Sequence, residues 1–226
     1  MKLSPLHSTL TELSARFEDR DGWQVAAQIG DSTAGKAAAA QDVAIADLSH
    51  AGKLVVEGPM AGDTIDSALA TGAADLAVLA GSDHGSFSVY RLRQDQYFVH
   101  TFPGAEGELA AKIQAAAPTP TSSADLVTIS NVTEGRSALL ILGPKAGALL
   151  SRLCGINFSD AAFPNVAARQ SSVARTSQLV LRHDMHDQPA FALIGERSLA
   201  AYLWSTTLQA GGDLGILPIG QSDLAD

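Results

Sequence analysis

The sequence predicts an α+β fold built from two repeats of a strand–helix–hairpin–helix unit. Three observations predict it. "KLVVEGPMAGDTIDSAL" (Lys53 to Leu69) and "ALLILGPKAGALLSRLC" (Ala138 to Cys154) follow one plan: an apolar strand, Gly-Pro, one residue, Ala-Gly, then a helix. "VYRLRQDQYFVHTFPGAEGELAAKI" (Val89 to Ile113) matches "VLRHDMHDQPAFALIGERSLAAYLW" (Val180 to Trp204) as strand, polar turn, strand, short loop and helix. Between the halves lies "AAAPTPTSSAD" (Ala115 to Asp125), which holds two prolines and few hydrophobic side chains larger than alanine, and reads as a linker. The expected division is an N-terminal helical extension over 1–51, a first unit over 52–118, a linker over 119–126 and a second unit over 127–226.

Each element has a local reason. In the extension, Thr9 and Glu12 make a capping box, and Leu10, Leu13 and Phe17 fall on one face of the helix expected there. "EDRDGW" is then a polar turn leading to a weak strand from Trp23 to Ile29, followed by an alanine-rich helix. At the head of each repeat, Gly58 and Gly143 permit a tight turn. Pro59 and Pro144 suit the first turn of a helix, where a missing N–H costs nothing. The paired strands of each hairpin should run antiparallel, because their connections are too short for a crossover.

Composition narrows the classes of function. With 46% hydrophobic and 17% charged residues, the 226-residue chain can bury a substantial core. Its 15 Lys and Arg against 24 Asp and Glu leave a net charge of −9 and no basic stripe to neutralise phosphates, which argues against nucleic acid as a partner. No run approaches the roughly 20 apolar residues of a membrane span, so no membrane partner is expected. The N-terminal stretch lacks the continuous apolar core of a secretory signal, and a cytoplasmic location is expected. The single cysteine, Cys154, excludes an internal disulfide and reads as a buried structural thiol on the apolar side of a helix.

One motif invites a nucleotide-binding reading. Gly30, Gly35 and Lys36 fall at the G-x-x-x-x-G-K spacing of a P-loop. That loop needs Ser or Thr after the lysine, to ligate the magnesium that bridges the phosphates, and this chain has Ala37. The stretch therefore reads as a turn followed by a helix.

The order of motifs resembles the glycine cleavage system T-protein, the folate-dependent aminomethyltransferase family. The residues that carry the resemblance are Ala15 and Phe17, Gly22-Trp23, Ile29-Gly30, then Asp47, Ser49, His50, Gly52, Lys53, Gly58 and Pro59. "LLILGPKAGALLSRL" and "LGILPIG" are similar to that family's second unit. The resemblance implies the family's two folate-binding-domain units, with its third, barrel-like domain absent, and tetrahydrofolate as a possible cofactor.

Its chemistry carries over poorly. Aligned on Val89-Tyr90-Arg91-Leu92, the family's two acidic positions are Gly85 and Ser86, with Asp83 two residues away. The family's asparagine is replaced around Thr101 and Phe102, and its folate-clamping glutamate corresponds to Ala192. "GPKAGALLSRLCGINFSDAAFPNVAARQSSVARTSQLVLR" is more similar to the gamma subunit of heterotetrameric sarcosine oxidase. That likeness implies a non-catalytic accessory subunit beside larger flavoprotein subunits, with flavin on the partners and no cofactor on this chain. The alternative it leaves is a stand-alone tetrahydrofolate-binding protein or degenerate aminomethyltransferase in one-carbon metabolism.

Asp83, Ser86 and Tyr90 are the candidate folate-pocket residues, because the resemblance places "SDHGSF" toward the folate channel. Tyr90 and Trp204 are candidates for stacking on a pterin. No catalytic residue and no metal site are assigned. In "LRHDMHDQP", His183, Asp184, His186 and Asp187 are metal-ligand types but sit in what reads as a hairpin turn. Ser49 and His50 are adjacent on an extended chain, so their side chains point to opposite faces and form no catalytic pair; Asp47 and Ser49 are expected to bond nearby backbone.

Overall fold

In the computed structural model, which describes residues 1–224, the chain divides into two compact units. The first holds residues 1–50, 135–165 and the chain from Gln170 on; the second holds 51–134 and 166–169. In chain order, the first 50 residues form β1 (Lys2–Leu3), α1 (His7–Glu12), β2 (Arg16–Arg20), β3 (Trp23–Gln28), α2 (Ser32–Gln41) and β4 (Val43–Asp47). There follow β5 (Gly52–Glu57), α3 (Ala61–Leu69), β6 (Gly81–Asp83), β7 (Phe87–Arg93), β8 (Gln96–Thr101), α4 (Glu106–Ala116) and β9 (Thr128–Asn131). The remainder forms β10 (Arg136–Leu142), α5 (Ala146–Leu150), β11 (Ala167–Val173), β12 (Thr176–Arg182), β13 (Ala190–Glu196), α6 (Ala200–Gly211) and β14 (Ile216–Pro218).

The α+β repeat is present. β5, α3, the β7–β8 hairpin and α4 recur as β10, α5, the β12–β13 hairpin and α6, and both hairpins are antiparallel. The Gly-Pro turns use their glycines fully. Gly58 and Gly143 have φ of 130° and 125°, and a Cβ on them would stand 2.0 Å from the Leu126 carbonyl oxygen and 2.6 Å from that of Asp42. No L side chain fits either place.

In the first unit, residues 170–173 of β11 and the strands β12, β13, β10, β4 and β14 form one sheet in that order, and β1, β3 and β2 form a small separate sheet. β4 lies antiparallel to β10, and β14 runs parallel to β4. Ala44, Ala46, Leu140, Leu142, Ala190 and Ile219 close one core there, and Leu203 and Trp204 of α6 are buried in the same unit.

The second unit is an antiparallel sheet of order β6-β7-β8-β5-β9. Alternate residues of its strands, Leu54, Val56, Val89, Tyr97 and Val99, form one core with Ile65 of α3 and Leu109 and Ile113 of α4. Each such aliphatic side chain, fully buried, contributes about 1.5–3 kcal/mol of transfer free energy. Period-two alternation makes that face apolar and leaves the other face to a different set of side chains.

The helix expected through Phe17 ends at Glu12. Leu6 occupies its N-cap position without a side-chain cap hydrogen bond, so Thr9 and Glu12 form no capping box, and Leu13 is 39% exposed. Phe17 instead lies in β2, which pairs with β3 across a tight turn at Asp21 and Gly22, both with positive φ. The Asp-Gly pair selects a hairpin turn whose two central residues need φ > 0, and this outweighs the helical spacing of three apolar residues.

Candidate functional site

The second unit places the sequence-predicted pocket residues on one sheet. Asp83 of β6 is opposite Ser88 of β7, Ser88 is opposite His100 of β8, and His100 is opposite Lys53 of β5. Directly opposed residues share a face, with Cβ atoms roughly 5 Å apart. A polar row therefore crosses four strands on the face away from the Leu54–Val89–Val99 core. Two residues along, the same face carries Tyr90 and Phe98.

Burial along this row is uneven. Lys53 and Tyr90 are 0% exposed and Ser88 is 4% exposed, whereas His100 is half-buried and Asp83 is exposed. The Lys53 ammonium donates to the Ala51 carbonyl at 2.6 Å, and its amide donates to the Thr133 hydroxyl at 2.9 Å. Burial pushes the Tyr90 phenol far above its ordinary pKa; the neighbouring Ser88 hydroxyl opposes this and the Asp83 charge adds to it. Tyr90 is thus an interior side chain held neutral, and Trp204, 1% exposed in the first unit, is likewise interior.

The carboxylate of Asp83 is engaged by its own turn. It accepts from the Gly85 amide at 3.2 Å and the Ser88 hydroxyl at 3.1 Å. Gly85 has φ 77°, and His84 stacks on Phe87 with ring centroids 5.1 Å apart. Ser86 is exposed at the tip, and its carbonyl accepts from the Phe102 amide at 3.1 Å and the Thr101 hydroxyl at 3.2 Å. Phe102 is 63% exposed. Beside Thr101 lies a residue that sequence reasoning passed over. Glu106 opens α4, is 9% exposed, and its Oε2 has no hydrogen-bond partner among the described residues.

The structure brings Asp83, Ser88 and Tyr90 to one face together with Lys53 and His100, and it leaves Ser86 at the sheet's end with Thr101 and Phe102. A period-two signal for this set was present in the sequence, since Lys53, Ser88, Tyr90 and His100 interrupt otherwise apolar strands. Nothing local marked Glu106.

The other residues noted in the sequence have structural partners. Asp47 accepts from the Ser49 amide at 2.9 Å and from the Ser4 hydroxyl, and the Ala138 amide donates to the Ser49 hydroxyl at 3.2 Å. His183 to Asp187 join β12 to β13, with positive φ at His186 and Asp187. Within that turn Asp184 binds the Arg182 guanidinium through both oxygens, at 2.8 and 2.9 Å. Among the described residues, no group of three or more His, Cys, Asp or Glu is placed to hold a metal ion. Gly30 to Lys36 is a turn into α2, whose N-cap Asp31 accepts from the Thr33 amide at 2.9 Å. Cys154 lies just beyond α5, half-buried, with its Sγ 3.5 Å from the Leu150 carbonyl oxygen. No helix among the described residues is long and apolar enough to cross a membrane.

Comparison with known proteins agrees with this architecture. A family model described as the GCVT N-terminal domain matches residues 6–224. An aminomethyltransferase of Saccharopolyspora erythraea is 24% identical over 229 residues, covering 97% of this chain and 60% of that protein. One from Symbiobacterium thermophilum is 28% identical over 234 residues, covering 97% and 61%. The chain thus spans about three fifths of the length of these curated relatives. Among solved structures, the glycine cleavage system aminomethyltransferase T of Bartonella henselae superimposes with a TM-score of 0.81 at 18% identity, covering 98% of this chain and 60% of that one. A chain of the heterotetrameric sarcosine oxidase of Corynebacterium sp. U-96 superimposes with a TM-score of 0.69 at 16% identity, covering 94% and 95%.

Proposed function

The chain belongs to the GCVT N-terminal domain family, and from that premise we propose that it is a non-catalytic accessory subunit, of gamma type, in a heterotetrameric flavoenzyme similar to sarcosine oxidase. The flavin is carried by larger partner subunits. The fate of the carboxylates supports this reading. The two positions at which the resemblance expects acids are Gly85 and Ser86, and Asp83 lies in its own turn, where its Oδ1 accepts from the Gly85 amide and the Ser88 hydroxyl. The glutamate position of the second repeat is Ala192, 8% exposed within β13.

The test is recovery of the tagged chain at its native level. Co-purification of chains with dinucleotide-binding sequences, in a yellow eluate that shows flavin absorption, is the expected result. A colourless, monomeric protein recovered alone refutes the subunit reading.

A second reading is tetrahydrofolate binding by the chain itself. The polar row favours it, since Lys53, Ser88, Tyr90 and His100 share one sheet face with Asp83. Glu106 Oε2 offers one buried acceptor without a hydrogen-bond partner among the described residues. Calorimetry with tetrahydrofolate tests this reading: no heat of binding at millimolar ligand refutes it, and unchanged affinity in Asp83→Ala removes Asp83 from the site.

A further inference from the structure

Two aliphatic residues of the second unit adopt a backbone conformation that their own side chains oppose. Among the described residues with positive φ, Val166 is the only β-branched one, at 52°, and Leu79, at 70°, is the only other with a large aliphatic side chain. Gly, Asn and Asp reach this left-handed region readily, whereas a bulky or β-branched side chain crowds the backbone there. The two residues meet at one edge of the sheet. The Ala168 amide donates to the Leu79 carbonyl at 2.9 Å, the Gly81 amide donates to the Val166 carbonyl at 2.8 Å, and Ala80 pairs with Ala167 in an isolated antiparallel bridge.

The two sides of this pairing are held differently. Leu79 is fixed from within the sheet. Its amide donates to the Arg91 carbonyl of β7 at 2.7 Å, the Arg91 amide donates to the Ala80 carbonyl at 3.0 Å, and the Ala80 amide closes a turn onto the Ala77 carbonyl at 3.0 Å. Leu79 is the third residue of that turn, where a positive φ ordinarily calls for Gly or Asn. Gly81 is fixed as well, since a Cβ there would stand 2.6 Å from the Tyr90 ring. Val166 to Arg169, by contrast, are the one part of the second unit among the described residues that lies outside the continuous stretch 51–134.

We propose that Val166–Ala168 is a strained strap on the edge of this sheet, which opens and closes while β7, β8 and β5 stay paired. Closing is favoured by the two hydrogen bonds and by burial of Ala167 and Ala168, 2% and 0% exposed. It is opposed by the left-handed conformation of Val166, which relaxes when the strap lifts and thereby shifts the balance toward the open form about five- to thirtyfold. Strained residues of this kind persist only where their surroundings over-determine them, and they gather at switch segments. The open form leaves the Leu79 carbonyl and the Gly81 amide on an unpaired sheet edge and reduces the second unit to one continuous stretch of chain.

The experiment is native-state amide hydrogen exchange on the full chain, in the wild type, Val166→Asn and Val166→Ala. The amides of Gly81 and Ala168 are compared with those of the central strand β8, each corrected for its intrinsic rate. In the wild type, Gly81 and Ala168 should exchange together, at least about tenfold faster than β8 and with a weaker dependence on urea, the mark of a local opening. V166N, which tolerates the left-handed conformation, should slow both amides about five- to thirtyfold. V166A removes the same methyl groups but keeps an L side chain that resists this φ, so it should slow them less. Wild-type exchange at the rate and urea dependence of β8 makes the segment part of the unit's core and overturns the proposal. Slowing in V166N of less than about twofold, or no greater than in V166A, shows that no strain is released on opening and also overturns it.

Discussion

Replacing Asp66 by alanine should loosen the connection between α3 and the sheet of the second unit. The Asp66 carboxylate accepts from the Thr71 hydroxyl and the Ala73 amide, both at 2.6 Å, and from the Ala74 amide at 3.0 Å. From the other side, the Arg91 guanidinium donates to the Ala74 and Leu76 carbonyls at 2.9 and 2.8 Å. The 71–76 segment is therefore gripped between an acid on a helix and a base on a strand. Hydrogen bonds to a charged acceptor are worth about 1.5–3 kcal/mol each. In D66A the Thr71 hydroxyl can turn to water, and the Ala73 amide keeps the Thr71 oxygen at 3.3 Å. One amide is left without an acceptor and one with a weak acceptor, so the loss should be about 2–3 kcal/mol at neutral pH.

The pH dependence has a definite sign. Burial pushes the Asp66 carboxyl up, but the Thr71 hydroxyl and the Ala74 and Ala73 amides together hold it below its ordinary value. A carboxyl depressed in the folded state contributes stability that is fully present above its unfolded pKa and is lost as pH falls through the folded pKa. The gap between wild type and variant should therefore be constant above about pH 5 and shrink below about pH 4. Both tryptophans, Trp23 and Trp204, belong to the first unit, so their fluorescence reports that unit. Amide hydrogen exchange at Ala73 and Ala74 is the appropriate assay. A change in opening free energy under about 0.5 kcal/mol, or a difference that persists unchanged at pH 3, refutes the reasoning.

Four further outcomes are expected. Gly52→Ala must push its new methyl into Thr101 and Glu106, at 2.4 and 2.8 Å, and should cost about 1–3 kcal/mol by chemical denaturation. Tyr90→Phe deletes a buried hydroxyl with no hydrogen-bond partner within bonding geometry among the described residues and should leave stability within about 1 kcal/mol of wild type or raise it. In an alkaline difference spectrum, Tyr90 should ionise only as the fold is lost, since burial raises its pKa. Cys154, whose thiol burial pushes up against a weaker opposing effect of the Ile156 backbone, should react slowly with a thiol reagent at pH 7 and rapidly after unfolding.

The parts of this fold that were legible in the sequence are those fixed by neighbours in the chain. The Gly-Pro turns, the two hairpins and the helix after each repeat depend on local φ/ψ demands and apolar periodicity, and each is present. The Ala37 objection to a P-loop was equally local. The insertion of β4 between β10 and β14 was not legible, because it joins segments about 90 and 170 residues apart through a pairing that no local pattern encodes. Phe17 was misplaced because Leu10, Leu13 and Phe17 repeat at 3 and 4 residues, which favours a helix until the Asp21-Gly22 turn is weighed. In the candidate site, Asp83, Ser86 and Tyr90 were readable only through a resemblance. Glu106 acquires its setting from Gly52 and Thr101, and neither lies beside it in the chain.

The row from Asp83 to Lys53 also acts on how the second unit finds its structure. A shift of one residue in any of its strands would exchange the two faces of that strand. Lys53 or His100 would then point into the cluster of Leu54, Val89 and Val99, and a valine or leucine would take its place in the polar row. A correct pairing places one buried ammonium against the Ala51 carbonyl; an incorrect one strands that charge among aliphatic side chains, at a cost of several kcal/mol. Lys53 thereby weighs against misaligned pairings of the sheet on which α3 and α4 pack.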